Sequence, residues 1–461
     1  MTKQIVDLVL YAAYVVPVVP DDAVLEDYAV VIHDSRIVAL LPAAEAQQDF
    51  VGAEEKRLER HILLPGLVNL HTHAPMTLLR GLSDDKALHD WLAEDMWPTE
   101  KQFVSPEFIE KGMTHAVAEM IRGGTTCFNN MYFFPDVICT VLERTGMRGA
   151  VGQGITDMAT PYGTGPDDFL AKAEPNLKKY APGYHDLITV TMAPHSPYTV
   201  GDDTFLRLDA LAKKYDARVH THLHETEAEC RDSEMQNRSS MCCHKSDQKL
   251  RPLANFKRLG LLSERLVCAH MTQLTDEEID DVARAGAHVV HCPTSNLKLA
   301  SGIARVTEML RRGVNVGLGT DGAASNNSLD MFAEMKLAAL LAKAESRQST
   351  SVPVAQALQM ATLNGARALG LEHEIGSIEP GKRADIIAVE CNSIEMLPMY
   401  NAVSHVVYTA SRNHVSDVWI NGKQLLCNRE LMTINEIQVK NDVHEWAERI
   451  RIFRDNQHRK N

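Results

Sequence analysis

Apolar and polar positions divide the chain into a central region of alternating strands and helices, flanked by two regions of short strands. The first flank contains the apolar runs "QIVDLVLYAAYVVPV" and "YAVVIHDSRIVALL", and Asp34-Ser35 supplies a polar turn within the second. Short strands return after residue 370 in "ADIIAVE", "VSHVVYTA" and "VSDVWINGKQLL", the last turning at Asn421-Gly422. The flanks are therefore expected to form one small β-sandwich domain from both chain ends.

Eight short apolar runs in the central region alternate with helical patterns, which is typical of β-α units and a parallel sheet. These predicted strands cover residues 66–73, 125–132, 148–155, 188–195, 218–225, 266–273, 288–295 and 315–322. Predicted helices include "PEFIEKGMTHAVAEMIRGG", "LDMFAEMKLAALLAKAE" and "VAQALQMATLNGARALGL". Eight strands with an outer ring of helices predict an α/β fold, a (β/α)₈ barrel of the TIM type.

The predicted organisation has four parts. Residues 1–62 and 371–430 form the small β domain, and residues 63–370 form the barrel. Residues 431–461 contain a terminal helix, "VHEWAERIRIFRDN", with a charged tail that we expect to be solvated.

Composition narrows the possible partners and compartments. The chain has 461 residues, 47 of them Lys or Arg and 61 Asp or Glu, and the net charge of −14 comes without a basic stripe that could bind nucleic acid. The sequence contains no stretch of about 18 apolar residues, the length that would predict a membrane span. The apolar N-terminus lacks the features of a secretory signal. The nine cysteines show no paired spacing, so we expect a cytoplasmic protein.

Polar residues that could carry chemistry fall at the carboxyl ends of the predicted strands, where TIM-type barrels hold their active sites. The strands are identified from apolar content and turns alone. The position of these polar residues at the strand ends is therefore an independent observation. The residues at these ends are His71, His73, His195, His222, Glu225, His270 and Asp321.

His71 and His73 in "NLHTH" are two residues apart, so they share one face of a strand and can reach one ion. The fifth strand offers His220, His222 and His224 with the same parity, and spacing alone does not choose among them. Glu225, placed beyond the strand end as an acid/base should be, favours His222 as the ligand. Three imidazoles and Asp321 would leave a position for water, as in catalytic rather than structural zinc sites.

One metal is expected per subunit, because the fourth strand ends in "MAPHSPY" without the carboxylate or lysine that bridges a second ion. Nitrogen-rich ligation favours Zn²⁺ and also suits Fe²⁺. His291 receives no assigned role. The polar stretch 233–253 is interpreted as a solvated insertion rather than a lid, and its contiguous Cys242, Cys243 and His244 cannot easily surround an ion.

Four long motifs carry a family resemblance: "PGLVNLHTHAPMTLLRG", "HLHETEAE", "HCPTSNLKLASG" and "GLGTDGAASNNSLDMF". They resemble the amidohydrolase superfamily, and within it the branch of 5′-methylthioadenosine/S-adenosylhomocysteine deaminases. The similarity runs through most of residues 60–390 and includes "GSIEPGKRADIIAVE".

The resemblance implies roles for individual residues. The positions that match metal ligands are His71, His73, His222 and Asp321. Glu225 matches the carboxylate that protonates the purine ring, and His270 matches a histidine that contacts the metal-bound hydroxide. With Asp321, these two are the implied catalytic residues. The implied substrate-binding positions are Trp91, Glu100, Gln153, His195 and Glu225, with Glu100 suited to accept hydrogen bonds from the ribose hydroxyls.

The implied reaction is hydrolytic deamination, in which a metal-bound hydroxide adds to C6 of a 6-aminopurine while Glu225 protonates N1. 5′-Methylthioadenosine would give 5′-methylthioinosine and ammonia, and S-adenosylhomocysteine and adenosine are further candidate substrates. Some relatives that accept S-adenosylhomocysteine have arginines in and after the third strand, where this chain has "VGQGITDMATPYGTGPDDF". We therefore expect a preference for the uncharged methylthio substrate.

Two alternatives remain at this point. The first is another amidohydrolase, such as a guanine deaminase or a triazine or other aminoheterocycle hydrolase, which shares the metal ligands. The second is a non-catalytic barrel scaffold, although such proteins typically lose ligands that this chain retains. Barrels of this family commonly pair, so a homo-oligomer, a dimer or tetramer, is expected.

Overall fold

Two eight-stranded sheets organise the computed structural model, which describes residues 3–235 and 249–458. The N-terminal strands are β1 (Gln4–Val15), β2 (Leu25–His33), β3 (Arg36–Pro42) and β4 (Phe50–Pro65). The central strands are β5 (Leu67–Thr72), β6 (Thr125–Tyr132), β7 (Arg148–Ile155), β8 (Ile188–Pro194), β9 (Val219–Leu223), β10 (Leu266–His270), β11 (His288–His291) and β12 (Asn315–Leu318). The C-terminal strands are β13 (Ile386–Glu390), β14 (Val415–Ile420), β15 (Lys423–Cys427) and β16 (Glu430–Leu431).

The central sheet is a parallel barrel in which each strand from β5 to β12 pairs with the next, so all eight predicted barrel strands are present. Strand β5 is buried along its whole length, as expected for a parallel strand covered on both faces. The barrel closes where the Asp321 N–H donates to the His71 carbonyl at 2.9 Å. Gly319 permits this approach, because a Cβ there would lie 2.8 Å from the Cβ of His71.

The second sheet combines both chain ends in the order β16-β15-β14-β13-β4-β1-β2-β3. Strands β1 and β4 are parallel, and the other neighbours are antiparallel. The sheet folds over on itself, since residues of β2 and β3 share one buried apolar cluster with Trp419 of β14. The two predicted turns meet there: a Cβ on Gly422 would lie 3.0 Å from the Cα of Ser35.

Helices surround the barrel and connect its strands. Their bounds are α1 (Ala43–Asp49), α2 (Leu88–Asp90), α3 (Trp97–Phe103), α4 (Pro106–Arg122), α5 (Pro135–Thr145), α6 (Pro166–Lys179), α7 (Asp202–Lys214), α8 (Glu227–Met235), α9 (Pro252–Arg258), α10 (Asp276–Ala285), α11 (Pro293–Lys298), α12 (Val306–Arg311), α13 (Ala323–Asn326), α14 (Met331–Ser346), α15 (Val354–Met360), α16 (Leu363–Ala368), α17 (Ala402–Ser404) and α18 (Glu436–His458). Short 3₁₀ segments cover Ala74–Leu79, Ile394–Met396 and Arg412–His414, and π-helical turns cover Trp91–Met96 and His405–Thr409.

Local sequence signals explain where helix α4 begins and ends. The Ser105 side chain accepts a hydrogen bond from the Phe108 N–H, Pro106 occupies the first turn, and Gly123 follows the last residue. A side-chain cap satisfies an otherwise free N–H, and glycine commonly follows a helix end.

The predicted strand "VSHVVYTA" is wrong, because residues 402–409 are helical. Val403, Val406 and Val407 are the buried apolar residues, which is the spacing of one helix face. The Asn401 side chain caps this helical segment by accepting a hydrogen bond from the Ser404 N–H at 2.8 Å. A short apolar run does not distinguish a strand from a buried helix.

The segment "VAQALQMATLNGARALGL" forms two helices rather than one, with a break between α15 and α16. At the break the Ala361 carbonyl accepts a hydrogen bond of 2.8 Å from the Val68 N–H of β5. The interruption therefore satisfies a backbone donor at the start of the barrel, which a continuous helix would leave without this partner.

The C-terminal helix α18 is longer than predicted and packs against α4, with Trp446 in edge contact with Phe108 at 5.3 Å. Within residues 3–235 and 249–458, no helix is both long and apolar enough to cross a membrane. The proposed insertion at 233–253, with Cys242, Cys243 and His244, lies largely outside the described residues.

A buried ion pair joins the barrel to the small domain. Arg148 of β7 donates to both carboxylate oxygens of Asp385 at 2.6 and 3.0 Å, and the exposed side-chain fractions are 5% and 1%. Asp385 also accepts the Asn421 N–H of the β14–β15 turn at 2.8 Å. The pair is bidentate and satisfied by an additional hydrogen bond, the conditions under which a buried ion pair is tolerated.

We predict that Asp385→Asn destabilises the protein by about 3–5 kcal/mol, because it leaves the Arg148 guanidinium buried without a counter-charge. Urea unfolding measures the change. The control is Arg284→Ala, which removes an exposed pair with Asp281 and should cost less than about 1 kcal/mol. Equal destabilisation by the two variants would contradict the assigned importance of the buried pair.

Candidate active site

A cavity of about 640 Å³ opens at the carboxyl ends of the barrel strands. Its polar end contains His73, His195, His222, Glu225, His270 and Asp321. The rest of its wall is largely apolar, with contributions from Met76, Leu88, Trp91, Met96, Met131, Phe133, Met158, Pro161 and Leu299. An apolar cavity of this size with a few convergent polar groups is typical of a small-molecule site.

Four predicted ligand side chains converge at the polar end. The Nε2 atoms of His71 and His73 lie 3.4 and 3.3 Å from the Oδ1 of Asp321. The Nε2 atoms of His73 and His222 are 3.2 Å apart. Ligand atoms of His71, His73 and His222 all lie within 4.8 Å of one another, as do those of His71, His270 and Asp321.

Backbone carbonyls orient two of these imidazoles. The Nδ1 of His73 lies 2.7 Å from the Met131 carbonyl oxygen, and the Nδ1 of His222 lies 2.5 Å from that of His195. Carbonyl oxygens only accept hydrogen bonds, so Nδ1 carries the proton in both rings. The Nε2 lone pairs of His73 and His222 are therefore available to a cation.

The three histidines of strand β9 have different surroundings. His222 lines the cavity. His220 lies behind His71, with its Nε2 at 2.9 Å from the Nδ1 of that ring. His224 is fully buried away from the cavity, and its Nε2 accepts the Leu253 N–H at 2.9 Å. Geometry thus distinguishes among three positions that spacing left equivalent.

Asp321 is held rigidly at the end of β12. Its Oδ2 accepts hydrogen bonds from Ser295 and Ser325 at 2.6 and 2.8 Å, and its Oδ1 accepts the Gly322 N–H at 2.7 Å. Burial raises the pKa of its carboxyl, but the adjacent imidazoles of His71, His73 and His270 hold that pKa well below its usual value. Asp321 is therefore an anion at neutral pH.

Glu225 and His270 form a facing pair beside the ligand cluster. The Glu225 Oε2 lies 3.8 Å from the His270 Nε2, and the His270 Nδ1 lies 2.8 Å from the Asn296 Oδ1. Burial raises the pKa of Glu225. Burial alone would lower the pKa of His270, but the carboxylates of Glu225 and Asp321 outweigh it and raise that pKa. A carboxyl and an imidazole are the side chains that most often act as general acids and bases.

Glu229 supports Glu225 and was not singled out from the sequence. Its Oε1 accepts the His224 N–H at 3.0 Å, and its Oε2 accepts the Glu225 N–H at 2.7 Å. Burial raises the pKa of Glu229 to about 7, against the effect of these backbone hydrogen bonds. The signal was present in "HETEAE", where Glu229 is the third glutamate and follows Glu225 by four residues.

Trp91 and Glu100 lie on the helical segment 88–103, which extends over the cavity from outside the barrel. The Trp91 indole N–H has no acceptor among the described residues. Glu100 accepts a hydrogen bond of 2.6 Å from the Tyr132 hydroxyl, a partner that the sequence did not reveal. Burial raises the pKa of Glu100 to about 7, although this hydrogen bond opposes the change.

Gln153 does not reach the cavity, which corrects the expected substrate contact. Its side chain faces helix α6, where its Oε1 accepts a hydrogen bond from Asn176 at 3.1 Å. The residues that follow it, Gly154, Ile155 and Thr156, line the cavity instead. His195 does line the cavity, and its ring centroid lies 4.8 Å from that of His222. His291 is buried and is not a lining residue.

The residues present fit a divalent cation. His73 and His222 offer Nε2 lone pairs, Asp321 offers a carboxylate oxygen, and the buried Nε2 of His71 has no hydrogen-bond partner within the described part of the chain. Three imidazole nitrogens and one carboxylate are a ligand set of catalytic zinc sites.

Residues 62–425 match the model of the amidohydrolase family. Two relatives are similar over most of the chain. A 5-methylthioadenosine/S-adenosylhomocysteine deaminase of Teredinibacter turnerae is 42% identical over 96% of this chain and 98% of its own. A 5′-deoxyadenosine deaminase of Methanothermobacter thermautotrophicus is 41% identical over 81% of this chain and 84% of its own.

A solved structure has the same architecture. The crystal structure of an adenosine deaminase from Xanthomonas campestris, with bound zinc, superposes with a TM-score of 0.94 and 45% sequence identity. The match covers 98% of this chain and 100% of that one. The likeness confirms the predicted barrel with an additional domain built from both chain ends.

Proposed function

Since the chain belongs to the amidohydrolase family, we propose that it is a metal-dependent enzyme that removes the 6-amino group of a purine nucleoside by hydrolysis. The favoured reaction converts 5′-methylthioadenosine to 5′-methylthioinosine and ammonia. The observation that carries the proposal is one cavity that holds the metal-ligand cluster, the Glu225–His270 pair and the Trp91–Glu100 segment together.

We propose that His71, His73, His222 and Asp321 hold one divalent metal, with Zn²⁺ favoured and Fe²⁺ as the alternative. Such a metal lowers the pKa of a bound water toward neutrality, so that it supplies hydroxide at the pH of the cell. The backbone carbonyls that fix the His73 and His222 rings make the ligand positions rigid in advance.

Glu225 transfers protons during the reaction. Its carboxyl, with a pKa raised by burial, donates a proton to N1 of the purine and makes C6 more electrophilic. Water adds across the N1–C6 bond, and Glu225 returns the water proton to the exocyclic nitrogen. That nitrogen leaves as ammonia when the C6–N bond breaks, and the oxygen on C6 gives its remaining proton back to Glu225. N1 keeps its proton, which gives the 6-oxo product. His270, fixed by Asn296, hydrogen-bonds to the oxygen that adds to C6.

Glu100 and Trp91 form the nucleoside end of the site. Tyr132 uses one Glu100 oxygen, so the other oxygen is free to accept hydrogen bonds from the ribose hydroxyls. Among the described residues no arginine lines the cavity, and the stretch after β7 contributes Met158 and Pro161. Met158 and Pro161 suit an uncharged methylthio group, and S-adenosylhomocysteine and adenosine are weaker candidate substrates, with Lys101 as the cationic residue of the cavity lining.

The two alternatives have less support. A guanine deaminase or triazine hydrolase would share the ligand cluster but has no need of a carboxylate for ribose hydroxyls. A non-catalytic scaffold would not need the Glu225–His270 pair, whose partners Asn296 and Glu229 are also in position.

A substrate panel tests the proposed function, scored by release of ammonia, or of chloride for a chlorotriazine. We expect the largest kcat/KM for 5′-methylthioadenosine, smaller values for S-adenosylhomocysteine and adenosine, and no turnover of guanine or a chlorotriazine. Glu225→Gln should lower kcat by about 10²- to 10⁴-fold, because the amide cannot shuttle the proton. Glu227→Gln, at the exposed first residue of helix α8, is the matched control. A larger kcat/KM for guanine, or full activity of Glu225→Gln, would refute the proposal.

Elemental analysis tests the proposed ligands. We expect about one metal per chain in the wild type and a large loss of metal in His222→Ala, because the substitution removes one of the four proposed ligands. His373→Ala removes an exposed histidine and should leave the metal content unchanged. Wild-type metal content in His222→Ala would show that this residue is not a ligand, and iron in place of zinc in the isolated protein would assign Fe²⁺.

We also propose a homo-oligomer, a dimer or tetramer. One loop exposes Ile394, Leu397 and Tyr400, with exposed fractions of 85%, 52% and 89%. Large apolar side chains concentrated in one surface segment are typical of protein interfaces. Light scattering should give two or four times the chain mass, and Ile394→Ser with Tyr400→Ser should reduce it. A monomeric wild type would refute this assembly.

A further inference from the structure

The helical segment 88–103 carries Trp91 and Glu100 but lies outside the barrel strands, so other contacts must fix its position. Its first part is irregular: residues 91–96 form a π-helical turn. Such turns are less favourable than a regular helix and commonly occur at functional sites. The segment therefore depends on contacts with its surroundings to keep one conformation.

Asp95 is the polar anchor of this segment, on the side away from the cavity. It is 7% exposed, and its Oδ2 lies 2.7 Å from the Ser83 hydroxyl and 2.6 Å from the Lys86 ammonium. Its Oδ1 accepts a hydrogen bond of 2.9 Å from Arg454, near the end of helix α18. A buried carboxylate needs such partners, because an unpaired one is strongly destabilising.

Arg454 makes a second contact with the same region by donating to the Leu82 carbonyl. The guanidinium thus joins the Asp95 side chain to the backbone of the preceding loop. Arg454 lies within the predicted terminal helix, and its side chain is 22% exposed. A planar guanidinium can hold two acceptors in a fixed relation, which a single ammonium cannot.

Helix α18 is held in place independently of Arg454. Trp446 and Ile450 are each 2% exposed, and Trp446 makes edge contact with Phe108 and Phe103 at 5.3 and 6.2 Å. Phe453 adds an edge contact with Phe103 at 5.3 Å. Substituting Arg454 should therefore leave the helix docked and remove only its polar contacts with Asp95 and Leu82.

We propose that Arg454 is a positioning residue: by pairing with Asp95 from the C-terminal helix, it fixes the segment that presents Trp91 and Glu100 to the nucleoside. The inference rests on the proposed function for its consequence in catalysis. The metal ligands, Glu225 and His270 belong to the barrel rim, so loss of Arg454 affects nucleoside binding and leaves the proton-transfer machinery intact.

The test compares Arg454→Gln with Arg451→Gln in the metal-loaded, full-length protein. Arg451 lies on the same helix, is 68% exposed and contacts only Glu448 among the described residues. We expect Arg454→Gln to raise KM for 5′-methylthioadenosine by about tenfold with kcat within about twofold. Arg451→Gln should match the wild type.

A second kinetic readout addresses Glu100 directly. The wild type should prefer adenosine to 2′,3′-dideoxyadenosine, which lacks the hydroxyls that Glu100 binds, and Arg454→Gln should reduce that preference. Arg454→Lys retains the charge toward Asp95 and should restore part of it. An unchanged KM and an unchanged preference in Arg454→Gln would overturn the proposal, as would an equal loss of kcat for every substrate.

Hydrogen exchange tests the positioning role of Arg454 without relying on the proposed reaction. Peptides covering residues 88–103 should exchange faster in Arg454→Gln than in the wild type or Arg451→Gln, while peptides from the barrel strands should not change. A wild type without nucleoside deaminase activity would refute the proposed function and leave the exchange result to decide the structural role. Unchanged exchange of residues 88–103 would refute the positioning role itself.

Discussion

The carboxylate of Asp321 is the group on which the arrangement of the rim depends. A buried anion is costly unless it is paired and hydrogen-bonded, and here two serine hydroxyls, a backbone N–H and the His71 and His73 imidazoles surround it. The same contacts lie at the seam where β12 meets β5, since the Asp321 N–H also donates to the His71 carbonyl. The contacts that close the barrel therefore also bring the ligand cluster together. Gly319 is required at this seam because a Cβ there would lie too close to His71.

Backbone strain is concentrated at the same rim. His224, His270 and Asp321 have positive φ values of 53°, 75° and 61°, which non-glycine residues rarely adopt. Each such conformation costs on the order of 1–3 kcal/mol and persists only where the surroundings hold it. Glu229 accepts the His224 and Glu225 N–H groups, and Asn296 contacts the His270 ring. The strained turns bring Glu225, His270 and Asp321 to the cavity, and the barrel supplies the stability that keeps them there.

The barrel and the polar residues at its rim could be predicted from the sequence because both follow short-range rules. Apolar runs at regular intervals indicate strands, and the polar residue at each strand end projects toward the rim. Gln153 was expected in the site because some relatives have an arginine at that place, and the small residues of "RGAVGQGI" do not specify independently which positions face inward. Residues 402–409 were misassigned because four to eight apolar residues fit either a strand or a buried helix. Tyr132, Glu229 and Arg454 were missed because their partners depend on side-chain geometry that no local periodicity encodes.

Different parts of the structure hold the two ends of the cavity. The residues proposed for catalysis are therefore separate from those proposed for nucleoside recognition. The ligand cluster and the Glu225–His270 pair lie on strand ends and adjoining turns braced by the barrel. Trp91, Glu100, Met158 and Pro161 lie on segments between strands, one of which is tied to helix α18 through Asp95. A substitution in these segments can change which nucleoside fits without disturbing the cation site, whereas a substitution at the rim affects every substrate equally. The C-terminal helix, remote in sequence from every ligand, therefore belongs to the recognition end of the site.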